Sequence, residues 1–276
     1  MQEIRQEVQR RYGAFAETGG RKEACCAAAA EAASAYAVDQ GLYSEDELAL
    51  VPEGALDLSR GCGNPTGFAR LRSGEVVIDF GSGGGIDVIL ATHKVGSEGR
   101  IVGVDFTPQM IGRARENVAT AGCLEGTVEL RVADMSATGL PDGGADVVIS
   151  NCAINLCANK EGVYREAFRV LRSGGRLAIS DVVLSERIDC GLQERFRATW
   201  AGCLGGAIPE GDYLEMVRRV GFVEVEVLAR HPLATKELDA MARCPGPEFG
   251  PPVAEDDLVP VQGKVVSMKF KAVKPQ

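Results

Sequence analysis

Histidine is nearly absent from this chain of 276 residues, which holds only His93 and His231. His93 falls near the end of an expected helix, where a histidine is usually a surface group beside the helix dipole, and His231 precedes a proline. Chemistry that leans on a histidine base is therefore disfavoured. Positive charge is also in deficit: 30 Lys and Arg against 39 Asp and Glu leave a formal net charge of −9. A nucleic-acid backbone or an anionic membrane surface wants a clustered basic face, so neither partner is expected. No apolar run approaches the length of a membrane span. The Ala-rich stretch Ala24 to Ala33 has a charged approach and is interrupted by Glu31, which argues against a signal peptide. Lys22 and Glu23 stand where the small residues of a lipobox would precede a lipidated Cys25. A cytoplasmic location is the expectation. Cysteine is plentiful at nine residues, yet no Cys-x-x-Cys pair occurs, and the closest spacings are Cys25-Cys26 and Cys152 to Cys157. A zinc ribbon or finger is thus unsupported. A secreted disulfide scaffold would be shorter and denser in cysteine. Free thiols in a reducing compartment remain.

What the chain does hold is a glycine-rich corner. Asp79-Phe80-Gly81-Ser82-Gly83-Gly84-Gly85 follows the apolar, β-branched run Val76-Val77-Ile78 and precedes the helix-like Ile86-Asp87-Val88-Ile89-Leu90-Ala91. Strand, tight glycine turn and helix make the nucleotide-binding corner of an open α/β sheet. Glycines there take strained backbone angles and let a ligand lie against bare amides. About 20 residues on, the apolar run Gly99 to Val104 ends in Asp105, placed to accept hydrogen bonds from a ribose. A dinucleotide loop wants G-x-G-x-x-G, and its third glycine would be Ile86. The D-x-G-x-G-x-G spacing fits the cofactor loop of a methyltransferase better, so S-adenosylmethionine is the expected ligand, and a nicotinamide dehydrogenase fits poorly.

From Val76 onward strand and helix alternate. Strands are expected at 76–80, 99–105, 128–133, 145–150 and 176–183, then from Phe222 to Leu228 and from Lys264 to Lys274. Thr107 as N-cap, Pro108 at the first helical position and apolar Met110, Ile111 and Ala114 signal a helix after Asp105. Another helix near Lys160 to Leu171 stops at Gly174-Gly175, and a third starts at Pro209 and ends at Gly221. Such alternation implies an α/β fold with a parallel sheet, helices on both faces and the glycine loop at the carboxyl edge. Residues 1–60 read as a helical segment and 61–185 as the cofactor-binding core. Residues 186–276 read as a cysteine-bearing helical insertion, the last strands and a tail. Arg60 to Pro65 reads as a loop, and the Pro-, Gly- and acid-rich stretch from Pro232 to Pro260 as loosely ordered.

The fourth strand ends in Asn151-Cys152-Ala153-Ile154-Asn155, which puts a thiol at the edge that faces a transferable methyl group. Taken alone, Cys152 is as readily a small buried apolar residue as a reactive one. Cys62 between Gly61 and Gly63, and Cys203 close to Gly202, Gly205 and Gly206, shift that balance. Glycine-flanked loop cysteines are poor core residues and better reactive thiols, and three that converge would suit a soft, thiophilic centre.

Gly61-Cys62-Gly63-Asn64-Pro65, Asp79 to Gly85, Ser150-Asn151-Cys152-Ala153-Ile154-Asn155-Leu156 and Gly202-Cys203-Leu204-Gly205-Gly206-Ala207 together resemble an arsenite methyltransferase. The similarity runs from about Arg11-Tyr12-Gly13 to the strand after Gly221. It implies a Rossmann-like class I methyltransferase fold: a mostly parallel seven-stranded sheet with helices on both faces, an N-terminal helical segment and a small C-terminal arsenic-binding region. By that resemblance, Cys62, Cys152 and Cys203 bind trivalent arsenic as substrate. Cys25 or Cys26 takes part in disulfide chemistry during turnover, reset by thioredoxin or glutathione. For S-adenosylmethionine, Asp79 and the amides of Gly81, Gly83 and Gly85 are expected around the methionine end, with Asn151 nearby. Asp105 is expected on the ribose, Met110 against adenine, and Asp134 with the amide of Met135 at the adenine amino group. Met110 facing its own helix and Asp134 capping a turn are the structural alternatives. Phe80 in place of leucine, Arg172-Ser173 in place of Lys-Pro and the extra thiol Cys157 depart from the family pattern. Arsenic in three thiolates keeps a lone pair and needs no base, which fits the shortage of histidine. The rival readings are a methyltransferase acting on carbon or oxygen of another small molecule, and a noncatalytic arsenite-binding sensor.

Overall fold

Val76-Val77-Ile78 opens β1 (Val76–Phe80), the central strand of a seven-stranded sheet. The computed structural model describes residues 2–20, 42–123, 126–196, 203–242 and 254–276. The remaining strands are β2 (Arg100–Asp105), β3 (Val128–Val132), β4 (Ala145–Asn151), β5 (Leu171–Leu184), β6 (Val223–Pro232) and β7 (Val265–Val273). Their order is β3-β2-β1-β4-β5-β7-β6, parallel except for β7, which runs antiparallel to both β5 and β6.

Continuous β-branched runs suit strands covered on both faces. Val77 joins a cluster with Val88, Ala91 and Val95 of α5 (Ile86–Val95), numbering α1 to α4 for the short helices before it. Its neighbour Ile78 points the other way, into the larger cluster with Val163, Tyr164 and Ala167 of α7 (Lys160–Val170) and Tyr213, Leu214 and Val217 of α9 (Glu210–Val220). Between them in sequence lie α6 (Pro108–Thr120) and α8 (Cys190–Arg195). Local signals behave as expected at several ends. Pro108 starts α6 behind Thr107, and Gly221 closes α9 in a left-handed cap with φ 119°.

Besides β6, which runs on to Pro232 where Leu228 is the expected end, three boundaries differ from the sequence expectation. α7 ends at Val170, and β5 begins at Leu171 and passes through Gly174-Gly175, because buried Leu171 already pairs with Ala145 before the ladder shifts register. Asn64-Pro65 does not stay in a loop. Asn64 caps the short α4 (Pro65–Phe68), its side-chain oxygen accepting the Gly67 amide at 2.8 Å. The stretch after Pro232 carries α10 (Thr235–Ala242) and α11 (Glu255–Leu258), where Leu238 and Leu258 are buried in one apolar cluster; residues 243–253 lie outside the described residues.

Ahead of the sheet, α1 (Gln2–Glu17) lies across its carboxyl edge, and α2 (Glu45–Ala49) and α3 (Glu53–Asp57) follow. Gln9 Nε2 donates to the Phe106 carbonyl at 3.0 Å, and Arg113 Nε to the Ala16 carbonyl at 2.9 Å. Phe15, Ala16, Leu58 and Met110 form a small cluster beneath the helix. Among the described residues no helix is long and apolar enough to cross a membrane.

The ring of Phe270 on β7 packs edge-on to Tyr213 at 5.9 Å and tilted to Tyr164 at 6.5 Å, which ties both covering helices to the inserted strand. Phe270→Ala is expected to cost about 3–5 kcal/mol of folding stability. Urea unfolding measures it, and a loss below about 1 kcal/mol would show that the ring cluster does not dock these helices.

Candidate active site

The strand order reverses between β1 and β4, and ligands of open α/β sheets bind outside the carboxyl ends at such a point. A cleft opens there. Its floor is the glycine loop after β1, and one wall is the end of β4 with Asn151 and Cys152. α1 supplies Val8 and Tyr12 from above.

Gly81, Gly83 and Gly85 all have positive φ, at 80°, 48° and 92°. The amides of these glycines do not face the cleft as free donors. Gly81 donates to the Val104 carbonyl at 2.8 Å, Gly83 to Asp105 Oδ2 at 3.1 Å and Gly85 to the Ser82 carbonyl at 2.8 Å. Their contribution is shape: a Cβ on Gly81 would overlap Ala153, and one on Gly84 would press on Leu58.

Three buried acids stand around this loop. Asp79 is 2% exposed, and its Oδ2 has no hydrogen-bond partner among the described residues. Burial pushes its carboxyl well above the ordinary range, and Asp87 and Asp105 push it further. Asp105 is also raised by burial, against the pull of the Thr107 and Gly83 amides. Asp87, in the first turn of α5, is pushed up to about 7 by burial, while donors on Asn151 and Tyr43 pull it back. Ser82 Oγ and Thr107 Oγ1 are likewise buried without a hydrogen-bond partner among the described residues. An orphaned carboxylate with two acidic neighbours and unpaired hydroxyls fits a cationic, hydroxyl-bearing ligand. Met110 lines the cleft from α6. Asp134 does not: its Oδ1 accepts the Ser136 amide at 2.8 Å as a turn cap, its Oδ2 pairs with Arg5 at 3.3 Å, and it lines a neighbouring cleft that shares Met135.

Cys62, Cys152 and Cys203 converge, all buried, in one apolar cluster. Cys152 Sγ lies 3.8 Å from Cys203 Sγ, and Cys62 Sγ lies 3.7 Å from Ser180 Oγ. Hydrogen bonding to Cys203 and then Cys62 holds the Cys152 thiol well above its usual pKa. Cys152 and Cys203 both adopt left-handed backbone, φ 59° and 71°, rare for a residue with a Cβ. Asn151 holds the first thiol's loop: its Oδ1 accepts the Cys62 and Gly63 amides at 3.0 and 3.1 Å, and its Nδ2 donates to the Gly63 carbonyl at 2.7 Å. A Cβ on Gly61 would overlap Asn151, and one on Gly63 would overlap Ser180, so these glycines are there for close approach. Of the three sulfurs, only Cys152 lines the cofactor cleft.

Residues 71–221 match the sequence model of the methyltransferase domain family. The chain belongs to that family. It is also similar to the arsenite methyltransferase of Halobacterium salinarum, 38% identical over 237 residues, 82% of this chain and 59% of the relative. The arsenite methyltransferase of Aquipseudomonas alcaligenes is 34% identical over 173 residues, 59% of this chain and 49% of the relative. The chain thus spans between about half and three-fifths of the length of these two curated relatives. The crystal structure of an arsenic(III) S-adenosylmethionine methyltransferase from Chlamydomonas reinhardtii superposes with a TM-score of 0.67 at 27% identity, covering 84% of this chain and 72% of the other.

In this methyltransferase the remaining expected site residues divide. Cys25 and Cys26 lie outside the described residues, as does Cys244. Cys157 lines the cofactor cleft, but burial pushes its thiol up to about 12. Neither histidine joins the site: His93 and His231 are exposed. Sequence reasoning missed Tyr43, whose hydroxyl accepts from Asn151 at 3.0 Å and donates to Asp87 at 3.4 Å. It gave no role to Asp87, Ser180 or the cleft-lining Tyr12. Asp87 alone left a signal, an acid in the first turn of an apolar helix directly behind a glycine loop.

Because the Asp87 carboxyl is raised in the folded state, its contribution favours folding at low pH and is lost as pH climbs from about 4 to about 7. The ligand-free protein is expected to lose stability across that window, and Asp87→Asn to flatten the slope. Thermal unfolding at stepped pH decides, and an unchanged slope in the variant would place the titration elsewhere.

Proposed function

We propose that this methyltransferase transfers the methyl group of S-adenosylmethionine to trivalent arsenic held by Cys62, Cys152 and Cys203, giving methylated arsenicals. The observation that carries the reading is the convergence of three thiols far apart in sequence, with Cys152 reaching the cofactor cleft. The similarity to arsenite methyltransferases supports it.

When bound, S-adenosylmethionine supplies a methyl carbon made electrophilic by the adjoining sulfonium. Asp87 and Asp105 line the cleft, with buried Asp79 beside them, as an acidic wall that suits its positive charges and hydroxyls, and Met110 offers an apolar face to the base. The cysteines supply the nucleophile. Arsenous acid condenses with three neutral thiols, each As–OH leaving as water with a thiol proton, so the raised Cys152 pKa is no obstacle to loading. Among the described residues no three side chains of metal-ligating type already stand at coordinating distances. Cys62 therefore has to leave Ser180 and close on the Cys152–Cys203 pair as arsenic enters.

Thiolate-bound arsenic keeps a lone pair and carries no proton, so no general base is required, and the exposed histidines fit that economy. Holding it beside the cleft makes the transfer a matter of orientation. Methylation formally oxidises arsenic to the pentavalent state. Two electrons then come from a cysteine pair that includes Cys25 or Cys26, which closes to a disulfide and is reset by thioredoxin or glutathione. A cytoplasmic setting with reduced thiols is part of the same reading.

Purified protein incubated with arsenite, thiol and S-adenosylmethionine, followed by arsenic speciation, tests the proposal. Methylated arsenic is expected from the wild type, and Cys152→Ser should lower the rate by at least about 100-fold while S-adenosylmethionine binding survives. Undiminished turnover in Cys152→Ser defeats the thiolate mechanism. Cofactor binding without any methyl transfer from the wild type would favour an arsenite sensor.

A further inference from the structure

Cys152 and Cys203 stand on loops 51 residues apart, yet their sulfurs touch. Besides the thiols themselves, of which Cys203 also points its Sγ at the Cys152 carbonyl at 3.8 Å, a third side chain joins the two loops. Asn155, in the 3-10 turn Ile154–Leu156, donates its Nδ2 to the Cys203 carbonyl at 2.5 Å. The left-handed backbone at Cys203 turns that carbonyl away from any strand or helix ladder, so a side-chain donor satisfies it. On its other side Asn155 is anchored in the core. Its carbonyl accepts the Lys160 ammonium at 2.8 Å, and its backbone amide stabilises ionised Asp181. Asp181 accepts the Tyr213 hydroxyl at 2.6 Å, which is itself joined to Tyr164 at 2.8 Å. Gly206 passes so close that a Cβ there would overlap the Asn155 carbonyl, which fixes the far loop against the near one. Asn155 is fully buried, and its Oδ1 makes no hydrogen bond among the described residues, so the side chain is retained for its donor.

We propose that Asn155 is a positioning residue: a strut between a rigid core network and the Cys203 loop that sets the spacing of the Cys152–Cys203 thiol pair. Its functional meaning rests on the arsenic-thiolate reading, whereas the spacing itself is a property of the protein without arsenic. Without the strut the Cys203 loop loses its tie to the turn that carries Cys152, and the third sulfur no longer meets the other two.

The test uses the full chain with Asn155→Ala and the near-isosteric Asn155→Leu, both of which leave the backbone contacts to Lys160 and Asp181 in place. Two readouts are taken, with circular dichroism and S-adenosylmethionine affinity as controls expected to hold within about twofold. Mild oxidation with mass-spectrometric mapping follows the rate of Cys152–Cys203 disulfide formation, expected to fall at least about tenfold in both variants. X-ray absorption counts sulfur ligands on added arsenite, expected to drop from three to two. Variants that close the disulfide at the wild-type rate and keep three sulfurs on arsenic overturn the strut. A wild type that bridges the pair, slowed in the variants, yet takes up no arsenic removes the arsenic reading and leaves the strut standing.

Discussion

The site hangs on the Asn151 carboxamide. This last residue of β4 takes the amides of Cys62 and Gly63 on its oxygen and gives its amino group to Gly63, Tyr43 and Asp87. Each such bond is worth about 1 kcal/mol net, but a buried amide left unpaired costs more, so the loop has few alternatives to this docking. Cys152 follows directly in sequence. One strand end thus carries the second thiol and grips the loop of the first, and three residues later Asn155 reaches the loop of the third. Thiols separated by up to 141 positions in the chain are brought together by a five-residue segment at the switch point of the sheet.

That arrangement is held against local preference. Left-handed backbone at Cys152 and Cys203 costs of the order of 1–3 kcal/mol each, a cost natural chains avoid by placing glycine there. Glycine does occur at the neighbouring positions 61, 63 and 206, where Asn151, Ser180 and Asn155 leave no room for a Cβ. Glycine is thus used where backbones must approach and withheld where a sulfur must project. Arg70 and Glu224 also take left-handed backbone, but within the site the strain falls on the two cysteines whose thiols touch.

Much of the frame was legible in the sequence, because the signals are local. β-branched runs marked the strands to within a residue or two, apart from the start of β5 and the end of β6. Pro108, Asn159, Pro209 and Gly221 act at helix ends. The antiparallel insertion of β7 between β5 and β6 was not legible, since element order along the chain does not state order in the sheet. In the site, the three cysteines were found by their motifs, but their glycine flanks suggested open loops. They are buried because those glycines let Asn151, Ser180 and Asn155 close over them. The amides of Gly81, Gly83 and Gly85, expected around the methionine end of the ligand, are already paired, Gly81 and Gly83 with β2 and Gly85 within the loop, because buried amides do not wait unpaired for a ligand. Asp134 kept the alternative role of a turn cap.

The two halves of the cleft differ in electrical character, and that difference orders the chemistry. On the β1 and β2 side, Asp79, Asp87 and Asp105 crowd together, and burial raises all three, with Lys94 only partly offsetting Asp87. A positively charged ligand entering there relieves that repulsion and favours the ionised carboxylates. On the Cys152 side the surroundings are Leu, Val and Phe, and hydrogen bonding to Cys203 and Cys62, then burial, raise the Cys152 thiol. A neutral, thiophilic substrate suits that pocket, whereas a nucleophile needing deprotonation would find no base and a poor medium for its charge. The acid-lined half suits a cationic donor, and the apolar sulfur-lined half suits an acceptor whose lone pair is available without proton loss.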